Sequence, residues 1–222
     1  MSAQIAHLTL ERAEAQLVPW PHRAPAIGEA EYQARIARAR ALMREQGVDA
    51  LLVNAGASLR YFAGVPWGAS ERLVALLITA EDAPVLVCPA FEEGSLDAVL
   101  RVPADKRLWQ EHEDPYALVA QVMAERGART LALDPTAAFF IHTGLRAHLD
   151  AALIGDAHAI IDGCRMCKSP AELALIQQAC DMTLLVHRLA AGIAREGIGT
   201  DTLVRFIDQA HRALGADNGS TF

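Results

Sequence analysis

Short apolar runs alternating with segments of helical period constrain the fold of this 222-residue chain more than any other feature. Asp49 to Val53 reads as a buried strand. Arg72 to Thr79 and Pro84 to Cys88 read as two more, joined by Ala80-Glu81-Asp82-Ala83, which suits a hairpin turn. Arg129 to Leu133 continues the series, with Arg107 to Trp109 and Ala159 to Asp162 as shorter strands. Between the runs, Tyr32, Ile36, Ala39 and Met43 recur at helical spacing among arginines, and Gly47 makes a stop. Phe91 to Leu100 and Thr136 to Leu149 are helix-like, and Asp114-Pro115 is a cap and first-turn pair for a helix running to Arg126. A hairpin inside an otherwise wound sheet makes that sheet mixed. Helices interleaved with it predict a three-layer α/β domain over residues 27–162. Ahead of it, Leu8 to Leu17 reads as a short helix, and Pro19, Pro21 and Pro25 enforce an extended connection, so residues 1–26 are expected to form an arm across the surface.

The pattern changes after Asp162. Residues 163–169 read as a linker ending in a helix start: Ser169 caps, Pro170 takes the first position and Glu172 the third, which is a capping box in sequence terms. Leu173, Ile176, Ala179, Met182, Leu185, Val186, Leu189 and Ile193 then keep a helical period until Gly197 and Gly199. A second amphipathic helix is expected over Thr200 to Leu214, with Thr200 as its cap. Two apolar-faced helices without a sheet cannot shield those faces from water by themselves. Residues 170–222 are therefore expected to be the incomplete start of another domain, completed by further chain or by a partner.

Composition narrows the function classes. The chain is 52% hydrophobic and 21% charged, typical of a globular core, and no run approaches the ~18–20 apolar residues of a membrane span. The N-terminus has no basic region followed by an apolar stretch, so a cytoplasmic location is expected. Twenty basic residues against twenty-seven acidic ones give a net charge of -7, which disfavours tracking a phosphate backbone; no nucleic-acid or membrane partner is expected.

No self-contained catalytic constellation is legible. Cys164 and Cys167 form a C-x-x-C, but no second pair answers it, and Cys180 and His187 lie about 10 Å apart along a helix axis. Ordinary reduced thiols are expected. Glu111-His112-Glu113-Asp114 is the densest cluster of carboxylates and imidazole, yet adjacent residues rarely converge on one ion; it reads as a helix cap and an acidic turn. His142 and His148 do not share a helix face, and Asp217-Asn218-Gly219 reads as a turn. Gly56-Ala57-Ser58-Leu59-Arg60 lacks the final glycine of a nucleophile elbow, and phosphate-binding glycine loops are absent.

The run Arg165-x-x-Lys168-Ser169-Pro170-x-Glu172-Leu173-x-x-Ile176-x-x-Ala179-Cys180 resembles the entry into the catalytic domain of proline-specific metallopeptidases: Xaa-Pro dipeptidases (prolidases), Xaa-Pro aminopeptidases and their non-peptidase relative creatinase. Asp49 to Val53 followed by Ser58-Leu59-Arg60-Tyr61-Phe62-Ala63-Gly64 resembles that family's strand and aromatic-x-x-Gly loop. The resemblance implies a creatinase/prolidase-like N-terminal α/β domain followed by the first helices of a truncated pita-bread (α+β) domain. It further implies a homodimeric enzyme acting on small proline-containing peptides. Two divalent metal ions, manganese above all, would be held by two Asp, one His and two Glu that lie beyond Ser220-Thr221-Phe222, itself similar to the start of the first catalytic strand. No catalytic residue and no metal ligand transfers to this chain, and the chain alone is expected to be inactive. By the same resemblance the loop Arg60 to Glu71 borders the active site of the dimer partner, with Arg60 meeting a substrate carboxylate and Tyr61 and Trp67 walling a pocket. The alternatives are a non-catalytic peptide-binding or oligomerisation module of the same fold, or creatinase-like amidinohydrolase chemistry.

Overall fold

The computed structural model describes residues 7–217. The turn expected at Asp217-Asn218-Gly219 and the strand start expected at Ser220 to Phe222 lie at or outside that limit. In chain order the elements are α1 (Leu10–Glu14), α2 (Glu29–Gln46), β1 (Ala50–Asn54), α3 (Ala57–Ala63), β2 (Ala75–Thr79), β3 (Val85–Pro89), α4 (Glu93–Val99), β4 (Asp105–Trp109), α5 (Pro115–Glu125), β5 (Leu131–Leu133), α6 (Phe139–Arg146), β6 (Ile154–Asp156), α7 (His158–Arg165), α8 (Pro170–Ile193) and α9 (Thr200–Leu214). They fall into two compact units: Ile27–Cys167, and the N-terminal segment up to Ala26 together with the segment from Lys168 onward.

In the first unit the sheet order is β4-β3-β2-β1-β5-β6. β2 runs antiparallel to both β1 and β3, and every other neighbouring pair is parallel. The expected hairpin and mixed sheet are present. β1, β2 and β3 are buried at every position. Alternate residues serve opposite faces: Leu51, Val53, Leu76 and Ile78 join one core with Ile36, Met43, Leu59, Phe62 and Ile161, whereas Leu52, Leu77 and Val85 join another with Val119, Met123, Ile141 and Leu145. Because both faces are covered, the strands read as continuous apolar runs rather than as alternation. The edge strand β4 is charged and partly exposed. Its Lys106 pairs with Glu93 and Asp97 (2.8 and 2.7 Å) and its Arg107 with Glu125 (2.6 Å), side chains that discourage pairing with another strand.

Polar pins fix the register. From α2, Arg40 Nε donates to the Thr79 carbonyl (2.8 Å) and the same guanidinium donates to the Asp82 carbonyl, holding the β2–β3 turn. Where β1 and β5 begin, Asp49 Oδ2 accepts from the amides of Arg129 (2.8 Å) and Thr130 (2.9 Å), while the Asp49 amide donates to Thr130 Oγ1 (2.9 Å). The Thr130 and Arg129 amides hold the Asp49 carboxyl below the usual carboxylate range. A depressed folded value means that this stabilisation is fully present above the unfolded value, near pH ~4, and is lost as pH falls through the lower folded value. Asp49→Asn, which cannot ionise, is expected to flatten that acid limb; urea midpoints measured from pH ~5 downward check it.

Several local expectations are corrected. Ala159 to Asp162 is helical, part of α7, and the last strand is Ile154–Asp156. Ile160, Ile161 and Cys164 bury at helical spacing, and a Cβ on Gly163 would come 2.8 Å from Leu42 Cδ1, so α7 packs closely on α2. Thr136 to Leu149 shortens to α6, because Asp134 Oδ1 accepts from the Thr136 amide and hydroxyl (2.9 and 2.7 Å) and turns the chain first.

In the second unit α8 starts as expected, with both arms of the Ser169–Glu172 capping box formed. It ends at Ile193, ahead of Gly197. The residue capping α9 is Gly199, not Thr200, which is already helical. The apolar faces expected to lack cover are partly covered by the N-terminal arm: Ala13, Leu17 and Trp20 pack with Met182, Val186, Leu189, Ile193, Phe206 and Leu214. Among the described residues no helix is long and apolar enough to cross a membrane.

Candidate functional site

All strands except β2 point their C-terminal ends to one edge of the sheet. The chain leaves β1 toward β2 and later returns to β5 on the other side of β1. At that divergence α3 follows β1 onto one face and α6 follows β5 onto the other, the arrangement that opens a crevice in α/β sheets. The polar residues gathered there are Asn54, Ser58 and Asp134, all at most 3% exposed. Asn54 Oδ1, Ser58 Oγ and Asp134 Oδ2 have no hydrogen-bond partner, although Asn54 Nδ2 donates to the Ala55 carbonyl (2.9 Å). The sequence reading assigned Asn54 and Asp134 no role and weighed Ser58 only as a nucleophile-elbow serine. The signal for Asn54 and Asp134 is a polar side chain at the end of an otherwise apolar strand.

The residues Arg60 and Tyr61, expected in a loop, lie on α3; the loop begins only at Gly64, whose left-handed φ of 74° ends the helix. A Cβ on Gly64 would come 2.4 Å from Arg101 Cγ and 3.1 Å from Tyr32 Cζ, so both backbone and packing require glycine. Arg60 is exposed, whereas Trp67 is half-buried and packs against the core under α3. Tyr61 is held on several sides. Its hydroxyl donates to the Cys164 carbonyl (2.7 Å) in α7, its ring meets Phe62 edge-on at 4.9 Å, and the Arg35 guanidinium lies 4.1 Å above it. Arg35 also donates to the Tyr61 carbonyl (2.8 Å) and pairs with Glu31 (2.6 Å), and Arg165 lies 5.9 Å from the ring. The structure thus separates the three residues: Tyr61 ties α2, α3 and α7 together, while Arg60 faces solvent. Arg35 was not singled out in the sequence. Its spacing from Tyr32, Ile36 and Ala39, which places it on the buried stripe, was the available signal.

Farther along the same edge, Arg72 pairs with Glu111 (2.8 Å) and Glu71 (2.5 Å) and lies 5.6 Å from the ring of Phe91, which is 64% exposed. Burial pushes the nearby Glu92 carboxyl up against the pull of Arg72. The cluster Glu111 to Asp114 is engaged within the protein. Glu113 Oε2 accepts from the Gln110 amide (2.7 Å), and Asp114 caps α5 through the Tyr116 and Ala117 amides while its second oxygen meets His148 Nε2 (2.7 Å). Burial opposes the Asp114 charge, but His148 and the two amides outweigh it and hold the carboxyl below its usual value. Among the described residues no group of three or more His, Cys, Asp or Glu is disposed to hold a metal. The donors do not fit a dinuclear centre. Burial pushes the Cys164 thiol up to about 11 and Cys88 up to about 12, so neither offers a thiolate near neutral pH.

The model of the creatinase/prolidase N-terminal domain matches residues 35–167. A peptidase of Schizosaccharomyces pombe, itself uncharacterized, is 28% identical over 205 residues, 86% of this chain and 44% of the relative. The solved dipeptidase PepE of Mycobacterium ulcerans superposes with a TM-score of 0.76 at 26% identity, covering 87% of this chain and 52% of that one. A prolidase of Thermococcus sibiricus shares the fold, with a TM-score of 0.76 at 22% identity over 87% of this chain and 52% of its own. The chain spans about half the length of these relatives. With its mixed six-stranded sheet in three layers and the domain match across most of that unit, the chain belongs to the creatinase/prolidase N-terminal domain family.

Proposed function

We propose that this chain is the N-terminal part of a cytoplasmic, homodimeric Xaa-Pro dipeptidase-like enzyme that hydrolyses the bond before proline, and that it supplies substrate-facing surface rather than the metal centre. The observation that carries this reading is the likeness to dipeptidase PepE at 26% identity, which extends over 87% of the chain. Two divalent metal ions would polarise the scissile carbonyl and activate water in such an enzyme. The residues described here do not fit as their ligands, so the chain by itself is proposed to be inactive.

Within that enzyme Arg60 is proposed to meet the substrate carboxylate: it is exposed, and its guanidinium has no ion pair among the described residues. Trp67 would wall the pocket, and Tyr61 would hold α3 in place through Cys164 and Arg35. Reading the coding sequence past Phe222 and assaying the complete protein on Xaa-Pro and Xaa-Gly dipeptides, with manganese or with chelator, tests the function. Metal-dependent release of proline is expected from the Xaa-Pro substrates alone, and an absence of further ligand-bearing sequence together with no release would refute it. In the active protein Arg60→Ala is expected to raise KM by about tenfold or more with kcat little changed, the scale of one lost charged hydrogen bond. Unchanged kinetics would reject the role of Arg60 without touching the peptidase assignment.

A further inference from the structure

The N-terminal arm is attached to α8 and α9 in the way a bound peptide is attached to a groove. Its apolar side chains Leu8, Ala13, Leu17 and Trp20 enter the cluster formed by α8 and α9. Most of its polar contacts go to helix ends, where carbonyl groups lack intrahelical partners, and one goes to a side chain within α8. The Leu8 amide donates to the Gly192 carbonyl (2.8 Å) near the end of α8, and the Trp20 amide donates to the Leu214 carbonyl (3.0 Å) at the end of α9. Arg23 Nη2 donates to the Gly215 carbonyl (2.8 Å), a cation at the negative end of the helix dipole, and the Ala24 amide donates to Gln178 Oε1 (2.6 Å).

Gly215 links the end of α9 to the arm: its φ of 97° terminates the helix, and its carbonyl is the one that Arg23 Nη2 meets. The arm contributes little structure of its own: α1 is five residues long, and Pro19, Pro21 and Pro25 bar any helix beyond it.

We propose that the α8–α9 hairpin is a peptide-docking surface whose ligand is this chain's own residues 8–24, held as a separable strap and replaceable by the same segment supplied in trans. The ligand class is a short amphipathic helix followed by a proline-flanked tryptophan and a basic residue. A tether keeps the cis strap at high effective concentration, so it competes with any added peptide.

The test uses the full chain and a fluorescein-labelled synthetic peptide of residues 8–24, read by fluorescence anisotropy. Trp20→Ala in the chain weakens the cis strap, and the native peptide is expected to bind this variant at least tenfold more tightly than the native chain; a peptide carrying the same substitution should lose at least tenfold. Equal binding to variant and native chain, or no binding to the folded variant, would overturn the proposal. Should Trp20→Ala fail to fold, Arg23→Ala removes only an exposed contact and should still favour the peptide about threefold. Hydrogen exchange on the native chain gives a second reading that needs no substitution. The Leu8 and Trp20 amides should exchange faster than those of Val186 and Phe206, and a common rate for all four would show that the arm opens only on global unfolding and would defeat the strap.

Discussion

Replacing Phe62 with alanine is expected to destabilise the α/β unit by about 3–5 kcal/mol, among the larger effects a single substitution can have. The ring is fully buried on α3, between Leu59 and the Tyr61 ring on its own helix and the Val53 and Leu76 side of the sheet. Removing it takes apolar area out of the core and leaves a void that close-packed neighbours fill only in part. Urea unfolding should show a lower midpoint with an unchanged slope, since the surface exposed on unfolding barely changes. Phe91→Ala is the control. That ring is 64% exposed, and its loss should move the midpoint by no more than about 0.5 kcal/mol equivalent.

Arg35→Ala should be nearly as damaging, at about 3 kcal/mol, for an electrostatic reason. The residue is 7% exposed and serves the Glu31 carboxylate, the Tyr61 carbonyl and the rings of Tyr61 and Tyr32 at once. Its removal takes a cation from a partly buried carboxylate and a donor from a helix-end carbonyl, and that loss dominates the cost. Arg35→Lys keeps the charge but not the planar fork that bonds while it stacks, so it should still cost about 1 kcal/mol. A double-mutant cycle with Glu31→Gln, read from urea midpoints, would separate the ion pair from the contacts to Tyr61; additivity would show that the two residues do not act together.

The elements differ in how legible they were, and the reason is physical. β1, β2 and β3 stand out because burial on both faces makes them continuous apolar runs, and α8 because a Ser-Pro-x-Glu start leaves few other local structures. β6 was missed because three short, largely exposed residues carry no pattern, whereas Ile160 and Ile161 beside them looked strand-like until α2 gave them a helical face to bury against. The candidate site was legible only as a resemblance. Arg60, Tyr61 and Trp67 lie within eight residues of one another, yet nothing local tells an exposed guanidinium from a tyrosine clamped between three helices.

By its own pattern the chain determined the α/β class, the mixed sheet with its one hairpin, and the change to paired helices after Ser169, because periodicity, turn residues and caps act within a few residues. Tertiary structure alone decided that Arg35 would be a buried keystone, that Gly163 and Gly64 would mark close approaches, and that residues 8–24 would cover the α8–α9 groove. Each of those depends on a partner tens to almost two hundred positions away, as in the bond from Arg23 to Gly215, and no window of sequence contains both ends.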